Sequence, residues 1–240
     1  GKVFPERIAE IVSGIARACE KAGTALVGGE TAEHPGLLKE DEFDIAGAAT
    51  GAVDEENLLG EHRVKEGDLL IAMPSSGFHA NGYSLIRYIL NNQKLKLDEK
   101  ITNQTLGEIL ITPTEIYSLD CLALARGMKE ELHAFSHITG GGLAENTARV
   151  IPSHLTATFD RSTWSLPLGM EFMAEVGQVP QKDLERTWNA GIGMVAIVDA
   201  AAGDLALKSL AARGMQAWVA GVVQKSTGVK ASLEGSYRPR

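Results

Sequence analysis

The 240-residue chain has no long apolar run, only two cysteines and no block of basic residues. Its longest apolar stretches, such as residues 193–198, are far shorter than the roughly 20 residues that a membrane-spanning helix needs. Lysine and arginine are spread along the sequence and the formal net charge is -8, so the basic footprint of a nucleic-acid-binding protein is missing. The first residues also lack the pattern of an export signal. We therefore expect a globular cytoplasmic protein with no membrane and no nucleic-acid partner.

The two cysteines, Cys19 and Cys121, lie far apart, each within an apolar helical pattern. This placement favours two reduced core thiols over a disulfide or a metal site. Neither cysteine has the basic neighbours that would lower its pKa, so the sequence does not support a thiol nucleophile.

The periodicity of apolar residues predicts an α/β protein, with a mixed sheet covered by helices. Spacings of three and four predict a first helix over residues 4–22, opened by Pro5 and closed by Gly23. Two strands are predicted next, at residues 25–27 and 43–53. The polar stretch at residues 54–62 is the predicted domain boundary, which divides the chain into residues 1–57 and residues 58–240.

Beyond this boundary, strands and helices are interspersed without strict alternation. Strands are predicted at residues 68–73, 133–138, 155–159, 192–198 and 216–223, and helices at residues 82–90, 114–126, 143–150, 168–176, 181–188 and 200–213. Residues 94–103 are polar and are predicted to form a surface connection.

Three consecutive glycines, Gly140, Gly141 and Gly142, follow Thr139 between a predicted strand and a predicted helix. Glycine leaves its backbone accessible, and the first amides of a helix carry the positive end of the helix dipole. The turn is therefore a candidate phosphate site, while a tight turn that needs only backbone freedom is the alternative.

A second loop, residues 75–82, has a density of polar groups that a plain turn does not need. These groups belong to Ser75, Ser76, His79 and Asn81, with Gly77 among them and Gly82 after them. We predict that this loop binds a polar substrate. The pattern leaves open whether His79 is an acid or base near neutral pH or a structural hydrogen-bonding group. A serine hydrolase is not supported, because the Gly-x-Ser-x-Gly elbow is missing. Asn189, at the entry of a later strand, is a further polar candidate.

A third loop contains Gly28, Gly29, Glu30 and Thr31. Glu30 and Glu33 could hold magnesium through carboxylate oxygens, or they could form a solvated acidic loop. None of the three loops matches the Walker pattern or the dinucleotide fingerprint. His133 and His137 invite a zinc interpretation by their spacing, but we expect no further ligands near them and therefore no metal there.

Four segments together resemble the phosphoribosylformylglycinamidine cyclo-ligases, also called aminoimidazole ribonucleotide synthetases, in their order and approximate spacing. They are residues 28–36, 75–85, 137–146 and 189–194. The resemblance covers nearly the whole chain. Phe78 and Ala80 stand where family members often have Pro and Ser, and His34 where Met is frequent. These departures change loop packing more than they remove chemistry.

The resemblance implies ATP-dependent ring closure of formylglycinamidine ribonucleotide to aminoimidazole ribonucleotide in purine biosynthesis, with ATP and Mg²⁺ as cofactors. It places Gly28, Gly29, Glu30 and Thr31 at the ATP, with Glu30 also at the magnesium. It assigns catalysis to His79 and Asn81. The implied substrate-binding residues are Ser75, Ser76, Gly77, Thr139, Gly140, Gly141, Gly142 and Asn189.

In this interpretation residues 1–57 are the remainder of an N-terminal ATP-binding and dimerisation domain, and residues 58–240 form the C-terminal substrate-binding domain of a homodimer. Family members carry a further segment before this start, including an Asp-Gly-Val-Gly-Thr-Lys-like loop that serves ATP and magnesium. We therefore expect this chain alone to be inactive or severely weakened. Two other functions stay open. One is another phosphotransferase of the superfamily, of the selenophosphate synthetase or thiamine-monophosphate kinase type, and the other is a noncatalytic nucleotide-binding module.

Overall fold

The computed structural model describes residues 1–226 and 228–240. The chain forms two compact units. The first comprises Gly1–Leu58 with Ile116–Leu119, and the second comprises Leu59–Glu115 with Asp120–Arg240. This division lies beside the predicted boundary. The assignment of the two parts to ATP binding and to substrate binding stays a prediction.

The first unit contains the predicted N-terminal helix, α1, at Pro5–Ala22. Gly23 ends this helix in the left-handed region at φ 67°, where its amide donates to the carbonyls of Cys19 and Glu20. The strands predicted at residues 25–27 and 43–53 are wrong, because neither segment joins a sheet in the described chain. An extended segment becomes a strand only when a partner accepts its hydrogen bonds, and periodicity does not supply the partner.

The second unit holds eight strands and most of the helices of the described chain. The strands are β1 at Leu69–Pro74, β2 at Lys100–Ile101, β3 at Gln104–Thr105, β4 at Leu132–His137, β5 at Leu155–Asp160, β6 at Ile192–Val198, β7 at Trp218–Lys225 and β8 at Ala231–Glu234. The helices are α2 at Tyr83–Gln93, α3 at Leu106–Leu110, α4 at Ser118–Met128 (its first two residues belong to the first unit), α5 at Gly142–Ala148, α6 at Leu168–Val176, α7 at Gln181–Thr187 and α8 at Gly203–Ala212.

Six of the strands form one mixed sheet in the order β4-β6-β1-β7-β5-β8. All neighbouring pairs are antiparallel except β5 and β8, which are parallel. This architecture confirms the predicted α/β class with a mixed sheet. Because β6 pairs with both β1 and β4, the end of β1, the end of β4 and the start of β6 lie side by side.

Two apolar clusters of described residues stabilise the second unit. One packs on the sheet and includes Leu70, Phe159 and Val195. The other packs among the helices and includes Phe78 and Trp188. Burial of each large apolar side chain contributes roughly 1.5 to 3 kcal/mol, so both clusters fix the loops that emerge between them.

Three elements were not predicted from the sequence: the β2–β3 hairpin, helix α3 and strand β8. The β2–β3 hairpin turns at residues 102–103, and α3 follows it directly. A capping box starts α3, because Thr105 Oγ1 accepts from the Glu108 amide and the Glu108 carboxylate accepts from the Thr105 amide. The third element, β8, pairs only with β5 at the edge of the sheet. Among the described residues, no helix is both long and apolar enough to cross a membrane.

Candidate functional site

Three of the four polar motif loops meet at one end of the six-stranded sheet. β1 leads into residues 75–82, β4 leads into residues 138–142, and residues 189–191 lead into β6. Backbone hydrogen bonds join these loops, from the Ser75 amide to the Gly191 carbonyl at 2.9 Å and from the Ile138 amide to the Gly193 carbonyl at 2.9 Å. We call this end of the sheet, where β1 and β4 finish and β6 begins, the loop end. These three motif loops therefore lie together within the second unit.

Asn189 is fully buried and holds two of the loops together. Its Oδ1 accepts from Ser75 Oγ at 3.0 Å and from the Gly191 amide at 2.8 Å. Its Nδ2 donates to the Gly77 carbonyl at 2.8 Å. The side chain thus positions Ser75 and Gly77, and the direct substrate contact predicted for Asn189 stays a prediction.

His79 is buried, and it occupies the left-handed region at φ 57°. Its Nε2 accepts from the Ser76 amide at 3.1 Å and from the Glu115 amide at 3.5 Å. A ring nitrogen that accepts carries no proton, so the neutral ring has its proton on Nδ1. Burial and the nearby His137 lower the pKa of His79 to about 4, although the Glu115 carboxylate opposes the shift. His79 is therefore neutral at pH 7, which favours an anchoring role over that of a proton donor.

Apolar packing against Trp188 fixes the rest of the 75–82 loop. Phe78 is buried and packs edge-on against Trp188, with ring centroids 5.0 Å apart. Gly82 has φ 73°, and a Cβ there would lie 2.5 Å from Trp188 Cδ1. Ser76 is exposed and its Oγ donates to the Pro113 carbonyl at 2.6 Å, while Asn81 is half-buried. The loop therefore has an apolar underside and polar groups on its outer side.

The glycine turn is organised by Asn146, which the sequence reasoning did not select. Its Nδ2 donates to the carbonyls of Thr139 at 3.2 Å, Gly140 at 3.2 Å and Gly142 at 2.8 Å. Its Oδ1 accepts from Thr139 Oγ1 at 3.0 Å. In a trans peptide the N–H points away from the preceding C=O, so the amides of Gly140 and Gly141 turn to the side opposite Asn146. The sequence signal for Asn146 was its place in the motif, seven residues after Thr139.

Helix α7 and the residue after it pack against Gly82 in the 75–82 loop and against Gly142 in the glycine turn. A Cβ on Gly142, which has φ 73°, would lie 1.6 Å from the Glu185 carbonyl oxygen, so only glycine fits. The Glu185 side chain is itself held by Arg161, through bonds of 2.7 and 2.8 Å, and by the Tyr237 hydroxyl at 2.9 Å. Burial, and then the Glu185 carboxylate, raise the pKa of Tyr237 well above its usual range, which keeps its donor proton in place.

A cleft of about 160 Å³ opens beside the 75–82 loop. Ser76 and Gly77 line it together with polar Gln104 and Thr112 and with apolar Ile109. This mixed lining suits a small group that has both polar and apolar surface.

Comparison with known proteins identifies the family of this chain. The C-terminal domain of AIR synthase related proteins matches residues 65–234, and the N-terminal domain of the same family matches residues 1–53. The chain belongs to the AIR synthase related protein family. It is 43% identical over 223 residues to phosphoribosylformylglycinamidine cyclo-ligase of Pseudothermotoga lettingae, covering 92% of this chain and 65% of that protein. It is 46% identical over 228 residues to the enzyme of the same name from Nitrosococcus oceani, covering 95% and 63%.

These relatives confirm the resemblance that the four motifs carry. The chain spans somewhat less than two thirds of the length of both relatives. Among solved structures, E. coli HypE, a hydrogenase maturation protein, superposes with a TM-score of 0.61 at 19% identity, covering 98% of this chain and 67% of that one. At that identity the similarity shows the shared AIR synthase related fold alone.

The fourth motif loop of this AIR synthase related chain lies in the first unit and is exposed. Nothing lies within 4 Å of the position a Cβ would take on Gly28 or Gly29, so the backbone there is open. Glu30 and Thr31 are exposed, whereas Glu33 accepts a 2.8 Å bond from the Val3 amide. A carboxylate oxygen in an open loop fits one position on a magnesium ion that keeps water and phosphate oxygens as its other ligands. The placement of ATP and Mg²⁺ at Glu30 stays a prediction.

Two expectations about side chains change. Cys19 and Cys121 are free thiols, as predicted, but both are half-buried rather than in the core. Burial, and then the Asp120 carboxylate, raise the pKa of Cys121 to about 12, so this thiol stays protonated. The expectation that no further ligands lie near His133 is wrong. Strand order, which the sequence does not reveal, brings Asp68 and Asp199 next to it.

Proposed function

We propose that this chain is part of an enzyme that closes the imidazole ring of formylglycinamidine ribonucleotide in purine biosynthesis. ATP is consumed, and aminoimidazole ribonucleotide, ADP and phosphate are formed. The second unit binds the ribonucleotide at the loop end of its sheet. The observation that supports this most is that three ordered motif loops share one edge in a chain 43% and 46% identical to proteins named as cyclo-ligases.

The reaction that we propose has two steps. The formyl amide oxygen attacks the terminal phosphorus of ATP, the bond from that phosphorus to ADP breaks, and the phosphorylated oxygen becomes a good leaving group. An amidine nitrogen then attacks the activated carbon, the C–O bond breaks as phosphate departs, and the nitrogen releases a proton. Each step moves negative charge onto phosphate oxygens, so preorganised donors contribute most to catalysis. Magnesium bound with ATP neutralises charge on the phosphates.

Within this proposal the backbone supplies the donors for anionic groups. The amides of Gly140 and Gly141 face away from Asn146, and Gly140 has open space beside its Cα. Thr139 and Gly142 hold this turn between Asn146 and α7. Backbone amides suit phosphate because they donate without a side chain that must be ordered first.

The 75–82 loop contacts the part of the substrate that reacts. Ser76 and Gly77 line the cleft, and Ser75, which donates to Asn189, adds a hydroxyl group next to them in the chain. Asn81 is half-buried in this loop and is the catalytic candidate there. His79 keeps the loop in shape as a neutral acceptor and does not deliver a proton at pH 7.

ATP binding belongs in this proposal to the first unit, with Gly28, Gly29, Glu30 and Thr31 at the nucleotide and Glu30 at the magnesium. The match of residues 1–53 to the family's N-terminal domain supports this. A homodimer of the intact protein and a cytoplasmic location are part of the same proposal.

The test separates binding from turnover. The 240-residue chain is titrated with formylglycinamidine ribonucleotide by calorimetry and is assayed for ATP-dependent product by chromatography. We expect binding with absent or severely weakened turnover. Failure to bind the ribonucleotide would reject the proposed substrate site. Turnover equal to that of a full-length cyclo-ligase would reject the expected inactivity of this chain alone. Thiamine monophosphate and selenide serve as competing substrates, and phosphorylation of either one would favour the other superfamily reactions.

A further inference from the structure

A second cluster of chemically reactive side chains lies at the opposite end of the same sheet. Asp68 precedes β1, His133 is the second residue of β4, and Asp199 follows β6. Because β6 pairs with both β4 and β1, these three positions meet across neighbouring strand ends. β1 is six residues long, so the cluster is roughly 20 Å from the loop end. It is therefore separate from the proposed substrate site, and we call it the charged end of the sheet.

The three side chains are close enough to share one ion. One ligand atom from each lies within 4.8 Å of the others, and His133 Nδ1 is 2.6 Å from Asp68 Oδ2. His133 and Asp68 are 1% and 2% exposed, whereas Asp199 is only partly buried. The cluster thus has two buried members and one that is partly exposed to solvent.

The backbone holds each member in place. Asp68 Oδ2 accepts from the Lys65 amide at 2.8 Å, and Asp199 Oδ1 accepts from the Ala201 amide at 2.9 Å. The pairing of β4 with β6 shifts register between Leu132 and Ala134, so His133 is at a β-bulge. Bulges re-aim a side chain and are often found beside functional sites. Ligands oriented in this way by second partners are typical of metal sites.

The Asp68–His133 hydrogen bond and the bond from the Ala201 amide to Asp199 explain the side chains singly, but they do not explain why two carboxylates lie within 4.8 Å of one imidazole. One imidazole can carry at most one positive charge, whereas the cluster contains two carboxylates. A divalent cation would offset both carboxylates while the imidazole stays neutral. The combination of one imidazole with two carboxylates suits zinc-class ions, whereas magnesium prefers oxygen ligands alone.

We propose that Asp68, His133 and Asp199 form a binding site for a divalent transition-metal ion of the zinc class. Water completes the coordination on the open side, next to Asp199. The ion would tie the ends of β4, β6 and β1 together. This inference does not depend on the proposed function.

The probe is Zn²⁺ alone, added to metal-free protein in competition with a chromophoric chelator. We expect one ion bound per chain, together with a rise in the unfolding temperature, and no competition from millimolar Mg²⁺. Absence of stoichiometric binding, or equal competition by Mg²⁺, would overturn the proposal.

Asp199→Asn is the decisive variant, because it removes a charge at a partly exposed position and keeps the oxygen that accepts from Ala201. We expect it to weaken Zn²⁺ binding about tenfold or more and to abolish the rise in unfolding temperature. Asp204→Asn, at an exposed acid in the first turn of α8, is the matched control and should bind as the unmodified chain does.

Two further variants separate this site from other zinc ligands. His133→Asn should also lose binding, and its circular dichroism without metal shows whether it folds. If it does not fold, Asp199→Asn alone decides the question. Cys19→Ser removes a half-buried thiol outside the cluster and should bind one ion as before. Unchanged binding in Asp199→Asn, or loss of binding in Cys19→Ser, would place the ion elsewhere and refute the inference.

Discussion

The two ends of the six-stranded sheet carry different chemical groups, which suit different ligands. At the loop end, glycine backbone and carboxamide side chains such as Asn146 and Asn189 arrange amides and hydroxyls, and the buried histidine is neutral. At the charged end, two carboxylates and an imidazole gather. Backbone donors suit anions, and carboxylate and imidazole acceptors suit cations. The loop end of the sheet thus has groups that suit an anion, and the charged end has groups that suit a cation.

The largest effect should come from the glycine that touches α7. Gly142→Ala places a methyl group 1.6 Å from the Glu185 carbonyl oxygen at φ 73°, so the turn or the helix must move. We expect a loss of about 3 kcal/mol or more in the free energy of unfolding, measured by urea denaturation. Gly140→Ala is the control, because nothing lies within 4 Å of its Cβ position, and it should change stability by less than about 1 kcal/mol. Equal effects of the two variants would show that α7 does not support the turn.

Asn189→Ala should have the next largest effect. The change removes the bonds to Ser75, Gly77 and Gly191 and leaves buried polar groups unsatisfied. We expect the free energy of unfolding to fall by about 2 kcal/mol, and ribonucleotide affinity to fall as the 75–77 segment loosens. Asn91→Ala, at an exposed position of α2, is the matched control. A stability like that of the unmodified chain would show that Asn189 does not join the loops.

The neutral state of His79 predicts a pH dependence at the loop end. Its folded pKa of about 4 lies below the unfolded value of 6.5, so between these values the unfolded state binds more protons. Stability should therefore fall by about 1 to 2 kcal/mol as the pH drops from 6.5 to 5. His79→Gln keeps an acceptor but does not titrate, and denaturation curves against pH should lose this component. His154→Gln, at an exposed position, should keep it. An unchanged pH profile in His79→Gln would contradict the assignment.

The smallest effect should come from Glu145, which lies beside the glycine turn. Its contact with Arg186 is 3.5 Å long and exposed. Exposed ion pairs contribute little, so Glu145→Gln should change stability by less than about 0.5 kcal/mol in thermal unfolding. A loss above about 1 kcal/mol would mean that this carboxylate stabilises the loop end, which would weaken the contrast between the two edges.

The sequence predicts elements well where apolar periodicity alone determines them. β6 at Ile192–Val198 and α6 at Leu168–Val176 have the predicted bounds, because a buried apolar run and an amphipathic pattern are local properties. The strands at residues 25–27 and 43–53 were wrong, because pairing depends on a partner that the local pattern does not specify. The hairpin at residues 100–105 was missed since its residues are mostly polar and its pairing is only two residues long.

The candidate site shows the same division. Motif order was enough to select the loops, and the structure joins three of them at one edge of the sheet. The roles of single residues depended on contacts distant in sequence. His79 is neutral because of burial and of the nearby His137, and Asn146 matters because the turn folds back onto it. Predicting the cluster of Asp68, His133 and Asp199 would require the strand order and the β-bulge at His133, and no sequence motif reveals either one.

The central claim is that the loop end of the sheet is where the ribonucleotide binds. The most direct measurement is a titration of the ¹⁵N-labelled chain with formylglycinamidine ribonucleotide, followed by amide NMR shifts. We predict saturable shifts for Gly140, Gly141 and Ser76, with amides next to Asp68 and Asp199 unmoved. Shifts confined to the charged end, or no saturable shift at all, would contradict the claim.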